Sequence, residues 1–471
     1  MNPISQRAMQ AWVGLGPRFL PFADAASADV PLSRLLRLSL VQVSVGMSLV
    51  LMVGTLNRVM IVELGISAAL VSTMIALPVL FAPLRAYIGQ SSDTHVSVLG
   101  WKRVPFLFNG SMVQFGGLSI MPFALLVLSG GGASQAYPQW VGQAAAALSF
   151  LLVGAGIHIT QTVGLALATD LTSDNRRPKV VGLMYVSLLA GSIASALVFG
   201  QLLEDFSPGR LIQVIQGTAV LTLVLNGIAL WKQESLKRVT AAELAAPQPR
   251  FTDSMANYMR GGATTRRLVA VGLGTMAFGM QDVLLEPYGG EILGLTVADT
   301  TKLTAALAAG GLVGFAFASH LLSRGADAYA MAGRGALIGS LGLAAVILAS
   351  PFGSAALFAA GVILVGLGGG LFGHGTLTAA MNAAPEGQVG LALGAWGAMQ
   401  ATAAGVGIAL GGLMRDVALS SGAAEQFGAA FGYMTVYTTE ILLLLVTFAV
   451  MSSLFGSGGE QTEGSQGAQH P

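Results

Sequence analysis

The sequence predicts an all-α integral membrane protein with twelve transmembrane helices in two parallel six-helix halves. Three observations carry this reading: a dozen apolar stretches, positive charge gathered in alternate gaps between them, and short motifs that recur in order along the chain. A hydrocarbon core about 30 Å thick takes roughly 20 apolar residues per helix. Of the 471 residues, 54% are hydrophobic and only 10% charged, with a mean hydropathy of +0.72, whereas soluble domains carry about a quarter charged residues. Lipid is thus the solvent for most of the chain. The net charge of +1 says nothing about partners, because the distribution of charge matters here and its sum does not, and no nucleic-acid function is suggested. With no cysteine, disulfides, iron–sulfur clusters and thiolate metal sites are excluded.

The elements follow in order. Residues 1–37 form a cytoplasmic amino-terminal segment, read either as an amphipathic stretch along the membrane interface or as an unstructured leader. Arg18 and Phe19-Leu20-Pro21-Phe22 leave no room for the apolar core of a cleavable signal. The first half, 38–231, holds spans Leu38–Val62, Ala68–Ile88, Val104–Leu128, Trp140–Ala168, Val180–Leu203 and Leu211–Trp231. Residues 232–267 form a basic cytoplasmic linker. The second half, 268–455, holds spans Leu268–Leu293, Leu303–Leu322, Met331–Leu348, Ala355–Met381, Val389–Leu413 and Phe427–Leu454. The tail, 456–471, is Gly, Ser, Gln and Glu without a cation and reads as disordered.

Charge sets the orientation. Assigned to the gaps between spans, 19 of the 23 Lys and Arg residues fall on the side of both termini, and only Arg58, Arg210, Lys302 and Arg415 on the other. The positive-inside rule then makes the termini and the linker cytoplasmic.

Repetition sets the architecture. His158-Ile159-Thr160-Gln161-Thr162 returns as His374-Gly375-Thr376-Leu377-Thr378, and Leu64-Gly65-Ile66-Ser67 as Leu293-Gly294-Leu295-Thr296. Two halves of like orientation joined by a basic linker resemble the major facilitator superfamily. Gly89-Gln90-Ser91-Ser92-Asp93 and Gly100-Trp101-Lys102-Arg103 resemble its loop signature, split here by Thr94 to Leu99. The resemblance implies a cytoplasmic latch of Gly89, Asp93, Gly100, Lys102 and Arg103, in which Asp93 caps a neighbouring helix or pairs with a cation. The counterpart around Arg324 and Asp327 is eroded.

Within the superfamily, Phe19 to Ala26, Gly54-Thr55-Leu56-Asn57-Arg58-Val59-Met60, Trp101-Lys102-Arg103-Val104-Pro105 and Gln281 to Gly290 resemble the bacteriochlorophyll-delivery branch. These are the light-harvesting complex assembly proteins of the PucC/LhaA type found in phototrophic bacteria. The resemblance covers nearly the whole chain. It implies a non-enzymatic assembly factor of the bacterial inner, intracytoplasmic photosynthetic membrane, with bacteriochlorophyll bound or transferred. It further implies membrane lipid and antenna polypeptides as partners, with the reaction-centre core complex or bacteriochlorophyll synthase beside them. A proton-coupled secondary transporter of a small solute or tetrapyrrole is the alternative.

An ionisable group inside a membrane helix costs roughly 2.5–3.5 kcal/mol on insertion scales, so Arg58, Asp282, Glu286 and Glu440 form a candidate intramembrane polar site. Asp282 and Glu286 share a helix face and are expected to pair with Arg58, or to keep one carboxyl protonated. That set is either a functional site or a structural clamp between spans one and seven. His158 and His374 are candidate ligands for a chlorin magnesium, each oriented by the Thr four residues on, with core histidines as the bland alternative; Asn57 and Gln161 are weaker candidates. No direct protein metal site and no catalytic residue is expected. Gly368-x-Gly370-x-x-Gly373 fits a dinucleotide fingerprint only nominally, because no strand precedes it. Glycine supplies 63 residues, about twice its usual share, which indicates close helix packing. Gly390-x-x-x-Gly394 and Gly407-x-x-x-Gly411 are small-residue faces that a helix, a flat pigment or an antenna partner fits.

Overall fold

The computed structural model describes residues 30–81, 101–173, 177–234, 262–322, 324–383, 389–421, 425–426 and 428–454, together with positions 85, 88 and 92. Gly89, Asp93 and Gly100 of the latch motif lie outside the described residues, as do the leader before Val30, most of the linker and the tail after Leu454. Among the described residues, twelve helices, α1 to α12, follow the twelve apolar stretches. They are α1 Leu32–Glu63, α2 Ala68–Ala76, α3 Val104–Leu128, α4 Gln139–Asp170, α5 Arg177–Leu202 and α6 Pro208–Leu230. After the linker come α7 Gly262–Met280, α8 Val297–Leu322, α9 Ala328–Ala349, α10 Ala355–Asn382, α11 Val389–Ser420 and α12 Phe431–Ser452. Eleven are long and apolar enough to cross a membrane; α2 is shorter among the described residues, tightening into a 3-10 turn at Leu77–Phe81 around Pro78.

The repeated turns have matching geometry. Gly65 and Gly294 both adopt φ near +65° (63° and 66°), a left-handed conformation that glycine enters without steric cost. Two residues on, Ser67 Oγ accepts the Leu70 amide to cap α2, and Thr296 exchanges bonds with Asp299 to cap α8. Each satisfies a backbone donor that the first turn of a helix leaves unpaired. The duplicated sequence thus builds the same bend in each half.

Glycine brings the helices together. In α10, a Cβ on Gly368 would lie 2.6 Å from Gly335 O of α9, and one on Gly370 would lie 2.9 Å from Phe315 N of α8. These faces are closed by backbone on both sides. The α11 face of Gly407 and Gly411 is filled likewise by α7, against Met276 and Met280, so it is no free platform for a pigment or an antenna helix. The halves meet along α2 with α11 and α5 with α8.

The seventh span is not one rod. After Met280, α7 loosens into a 3-10 turn, Gln281–Val283, and resumes as a short helix, Leu285–Glu291. Pro287 explains the break, because it has no N–H to offer the carbonyl of Val283 four residues back. Asn57 supplies the missing donor, its Nδ2 standing 3.0 Å from Val283 O. Beside it, α1 carries widened turns over Val50–Leu56 and Val59–Glu63.

Candidate functional site

A cavity of about 530 Å³ lies between the halves, bounded by α1 and α5 on one side and by α7, α8, α10 and α11 on the other. That volume is in the range of small-molecule and cofactor sites. Its wall is mainly apolar, and an aromatic row crosses it. Tyr185 of α5 stacks on Phe315 of α8, with centroids 6.4 Å apart and planes at 26°. Phe315 in turn meets the His374 ring of α10 at 4.1 Å. All three residues line the cavity.

The two carboxyls Asp282 and Glu286 face this cavity together, as their spacing predicts. Thr304 donates to Glu286 Oε1, while Oε2 is buried without a partner. Gly54 lets α1 pass close by, since a Cβ there would lie 2.6 Å from Glu286 Oε1. Gln281 Nε2 lies 3.3 Å from Asp282 Oδ1. Glu440 of α12 stands behind this wall, fully buried, with neither carboxyl oxygen hydrogen-bonded. No Lys or Arg lines the cavity among the described residues.

Arg58 departs from expectation. It pairs with Glu63 of its own helix and reaches across to Leu295 O at 3.1 Å, lying over Gly290, so Asp282 and Glu286 lack it as an ion-pair partner. The guanidinium clamps α1 to the turn after the broken span through a backbone carbonyl. Arg415, which the sequence places in a loop, is a second such clamp. It is buried at the end of α11, bonded to Glu291 at 2.6 Å and Asp416 at 2.9 Å, and lies over the Tyr433 ring. The apolar run ends at Leu413, two residues before Arg415, and the helix continues to Ser420, so hydropathy alone does not single it out as it does Arg58.

The other candidates separate. His374 lines the cavity and His158 does not. In both, Nδ1 is buried without a partner, so neither ring is oriented through that nitrogen by the Thr four residues on. Thr162 instead accepts from Arg85 Nε at 3.1 Å, and Gln161 Oε1 from Arg85 Nη2 at 3.0 Å. Gln161 Oε1 is thereby engaged by the protein, whereas Asn57 gives its Nδ2 to Val283 O and keeps its Oδ1 buried without a partner. Arg85, one of the 19 cations counted on the side of the termini, lies within the span Ala68–Ile88 and is part-buried against α4. On the basic face, Arg103 joins Asp170 and Ser92, each bond being 3.0 Å or shorter. The carboxylate that caps α3 there is Glu234, accepting from the amides of Lys102, Arg103 and Val104. Asp327, in the eroded counterpart loop, caps its own helix α9 through Ala330 N.

Comparison with known proteins agrees with this architecture. A family model described as "PUCC protein" matches residues 55–459. Protein PucC of Rhodovulum sulfidophilum is 58% identical over 418 residues, covering 88% of this chain and 92% of the relative. Protein PucC of Rhodobacter capsulatus is 54% identical over 446 residues, covering 94% and 96%. A protein named bacteriochlorophyll synthase 44.5 kDa chain, from the same species, is 29% identical over 429 residues, covering 89% and 94%. Among solved structures, the nucleoside transporter NupG superposes with a TM-score of 0.64 at 16% identity, covering 90% of this chain and all of that one. The fold is therefore of the major facilitator type, and the chain is a multi-pass membrane protein.

Proposed function

This chain belongs to the PUCC protein family, and from that premise we propose that it is a non-enzymatic assembly factor that holds bacteriochlorophyll and passes it to antenna polypeptides. The observation that carries the reading is the row Tyr185, Phe315 and His374 along an apolar cavity. Flat aromatic surfaces favour a flat macrocycle, and a neutral imidazole is a ready axial ligand for the magnesium it carries. The cavity is the holding site, and the client is cargo. The reaction-centre core complex and a bacteriochlorophyll synthase are further partners of this reading, and the photosynthetic inner membrane, with the basic face cytoplasmic, is its place.

Purified from phototrophic membranes, the protein is expected to be coloured. His374→Leu is expected to lower the pigment-to-protein ratio at least twofold, and His158→Leu to leave it within error. An equal loss from both variants, or from neither, sinks the assignment of His374.

A second reading is supported by Asp282, Glu286 and Glu440, which present carboxyls to or behind the cavity without a cation among them. In a transporter of this fold, such groups carry protons. A colourless protein that drives proton-linked solute flux in liposomes would establish that reading in place of the first.

A further inference from the structure

Most glycines of α10 let a neighbouring helix approach, but two do not. A Cβ on Gly366, Gly368, Gly370 or Gly375 would strike the backbone carbonyl of Leu307, Gly335, Gly311 or Ala328 in turn. On Gly373 it would meet nothing within 4 Å among the described residues, and on Gly369 only Phe278 Cδ1 at 3.9 Å. Both glycines line the cavity between the halves. Glycine inside a helix is less favourable than alanine, because it loses more backbone freedom on folding and packs no side chain. Close approach of α8 explains Gly366 and Gly370, whereas no helix explains Gly369 and Gly373.

Being four residues apart, the two glycines bare one strip of α10 backbone to the cavity. Aromatic rings border it. Phe278 of α7 stands beside Gly369, and Phe315 of α8 lies 4.1 Å from the ring of His374, the residue after Gly373. One turn beyond Phe278, α7 breaks at Gln281–Val283 and the wall turns polar. Gln281 is 3% exposed with its Oε1 unpartnered, and Glu286 is 4% exposed with its Oε2 unpartnered. Both line the same cavity. Buried polar atoms without a partner are rare and mark where a ligand, water or ion is to be expected. Bare backbone between aromatic rings, with a polar end, suits a planar ring that carries a polar group on its edge.

We propose that the backbone strip at Gly369 and Gly373 is the seat of the cavity's ligand, a planar macrocycle whose edge carries a hydrogen-bonding group turned toward Gln281 and Glu286. The inference rests on the pigment reading above and adds to it a contact that does not depend on the metal. A ring in contact with backbone lies about 3.5–4 Å from it, which leaves no room for a methyl group between them. Glycine is thereby required at the seat by the ligand and not by the fold.

The full chain is reconstituted in phosphatidylcholine nanodiscs and titrated with a zinc chlorin methyl ester bearing a ring ketone, and with its metal-free form. Quenching of tryptophan fluorescence, for which Trp396 lies in the cavity wall, reports binding, and the thermal unfolding midpoint reports stability. The wild type is expected to bind both chlorins, and Gly373→Ala to weaken both by about tenfold or more. The midpoint of Gly373→Ala is expected to equal or exceed that of the wild type, because the added methyl meets ligand and no helix. Wild-type affinity in Gly373→Ala and in the bulkier Gly373→Val overturns the seat and leaves the pigment reading in place. Weaker binding together with a lowered midpoint makes the glycine a packing residue and overturns the seat as well. Binding, or its loss, confined to the zinc form assigns the contact to His374 and the metal, with the same result. A chlorin lacking the ketone is expected to bind the wild type about tenfold less tightly, and equal affinity overturns the placement of its edge at Gln281 and Glu286. Failure of the wild type to bind either chlorin sinks the pigment reading and the inference with it.

Discussion

Asn57 shows how a polar residue in a membrane helix takes on a structural bond that its sequence neighbours do not reveal. As an amide among apolar neighbours it stands out as a candidate ligand, yet it is fully buried and donates to Val283 O. Half of that explanation is written in the sequence, since Pro287 necessarily orphans the carbonyl four residues before it. The other half, that α1 passes at this depth, depends on packing that no local pattern encodes. Asn57→Leu removes the donor and leaves a buried carbonyl unsatisfied, a loss of about 1–3 kcal/mol. The expected outcome is a lower midpoint of thermal unfolding in detergent, with unchanged pigment per folded protein; a lost pigment complement at unchanged stability would return Asn57 to the binding site. Arg58 and Arg415 teach the converse. The cost of Arg58 inside a span is legible from sequence and that of Arg415, two residues past Leu413, is not, and neither are their partners Leu295 and Glu291.

At the scale of elements, most spans were legible because the bilayer imposes their length and because glycine marks the faces that meet. Val104–Leu128 ends at the same residues in sequence and structure, and Ala355–Asn382 differs by one. What the sequence hides is which glycine faces which helix. The Gly368 to Gly373 segment of α10, nominally a nucleotide motif, is instead the place where α8 and α9 press on both sides. Gly368→Val would drive side-chain atoms onto the backbone of Gly335 and Gly339, each 2.6 Å from the position of its Cβ. Backbone cannot rotate away, so the strain is about 1–3 kcal/mol or more. Gly116 of α3 meets nothing within 4 Å of an added Cβ, and Gly116→Ala is the matched control. The fraction of monodisperse protein after purification should fall sharply for the first variant and hold for the second. Equal yields would mean that the α9–α10 crossing relaxes at little cost.

At the scale of the whole molecule, two polar contacts between the halves lie, among the described residues, on the face opposite the basic one. Arg58 reaches Leu295 O, and Asp416, at the end of α11, accepts the amide of Ala69 at the start of α2 at 2.8 Å. The second of these sets a carboxylate on the positive end of a helix dipole, an interaction of about 0.3–1 kcal/mol when exposed and up to about 2 when partly buried. Gly412 brings the same two helices together, its position closing on Ser72 and Ala68. The 19-to-4 distribution of cations sets an expectation of sidedness, but nothing in the sequence announces this seam, because it is built from one carboxylate and one amide that are remote in sequence. If the seam holds the cavity shut on that face, Asp416→Asn removes the charge and should populate a state in which α2 and α11 part. A weakening of about 1 kcal/mol is roughly a fivefold change in the ratio of closed to open forms. The chain has no cysteine, so spin labels on Thr73→Cys and Val417→Cys report this distance without background. The wild type should give a single short distance, and the Asp416→Asn protein a second, longer component. An unchanged distribution would show that glycine packing alone, at Gly412 and its neighbours, keeps the two halves together there.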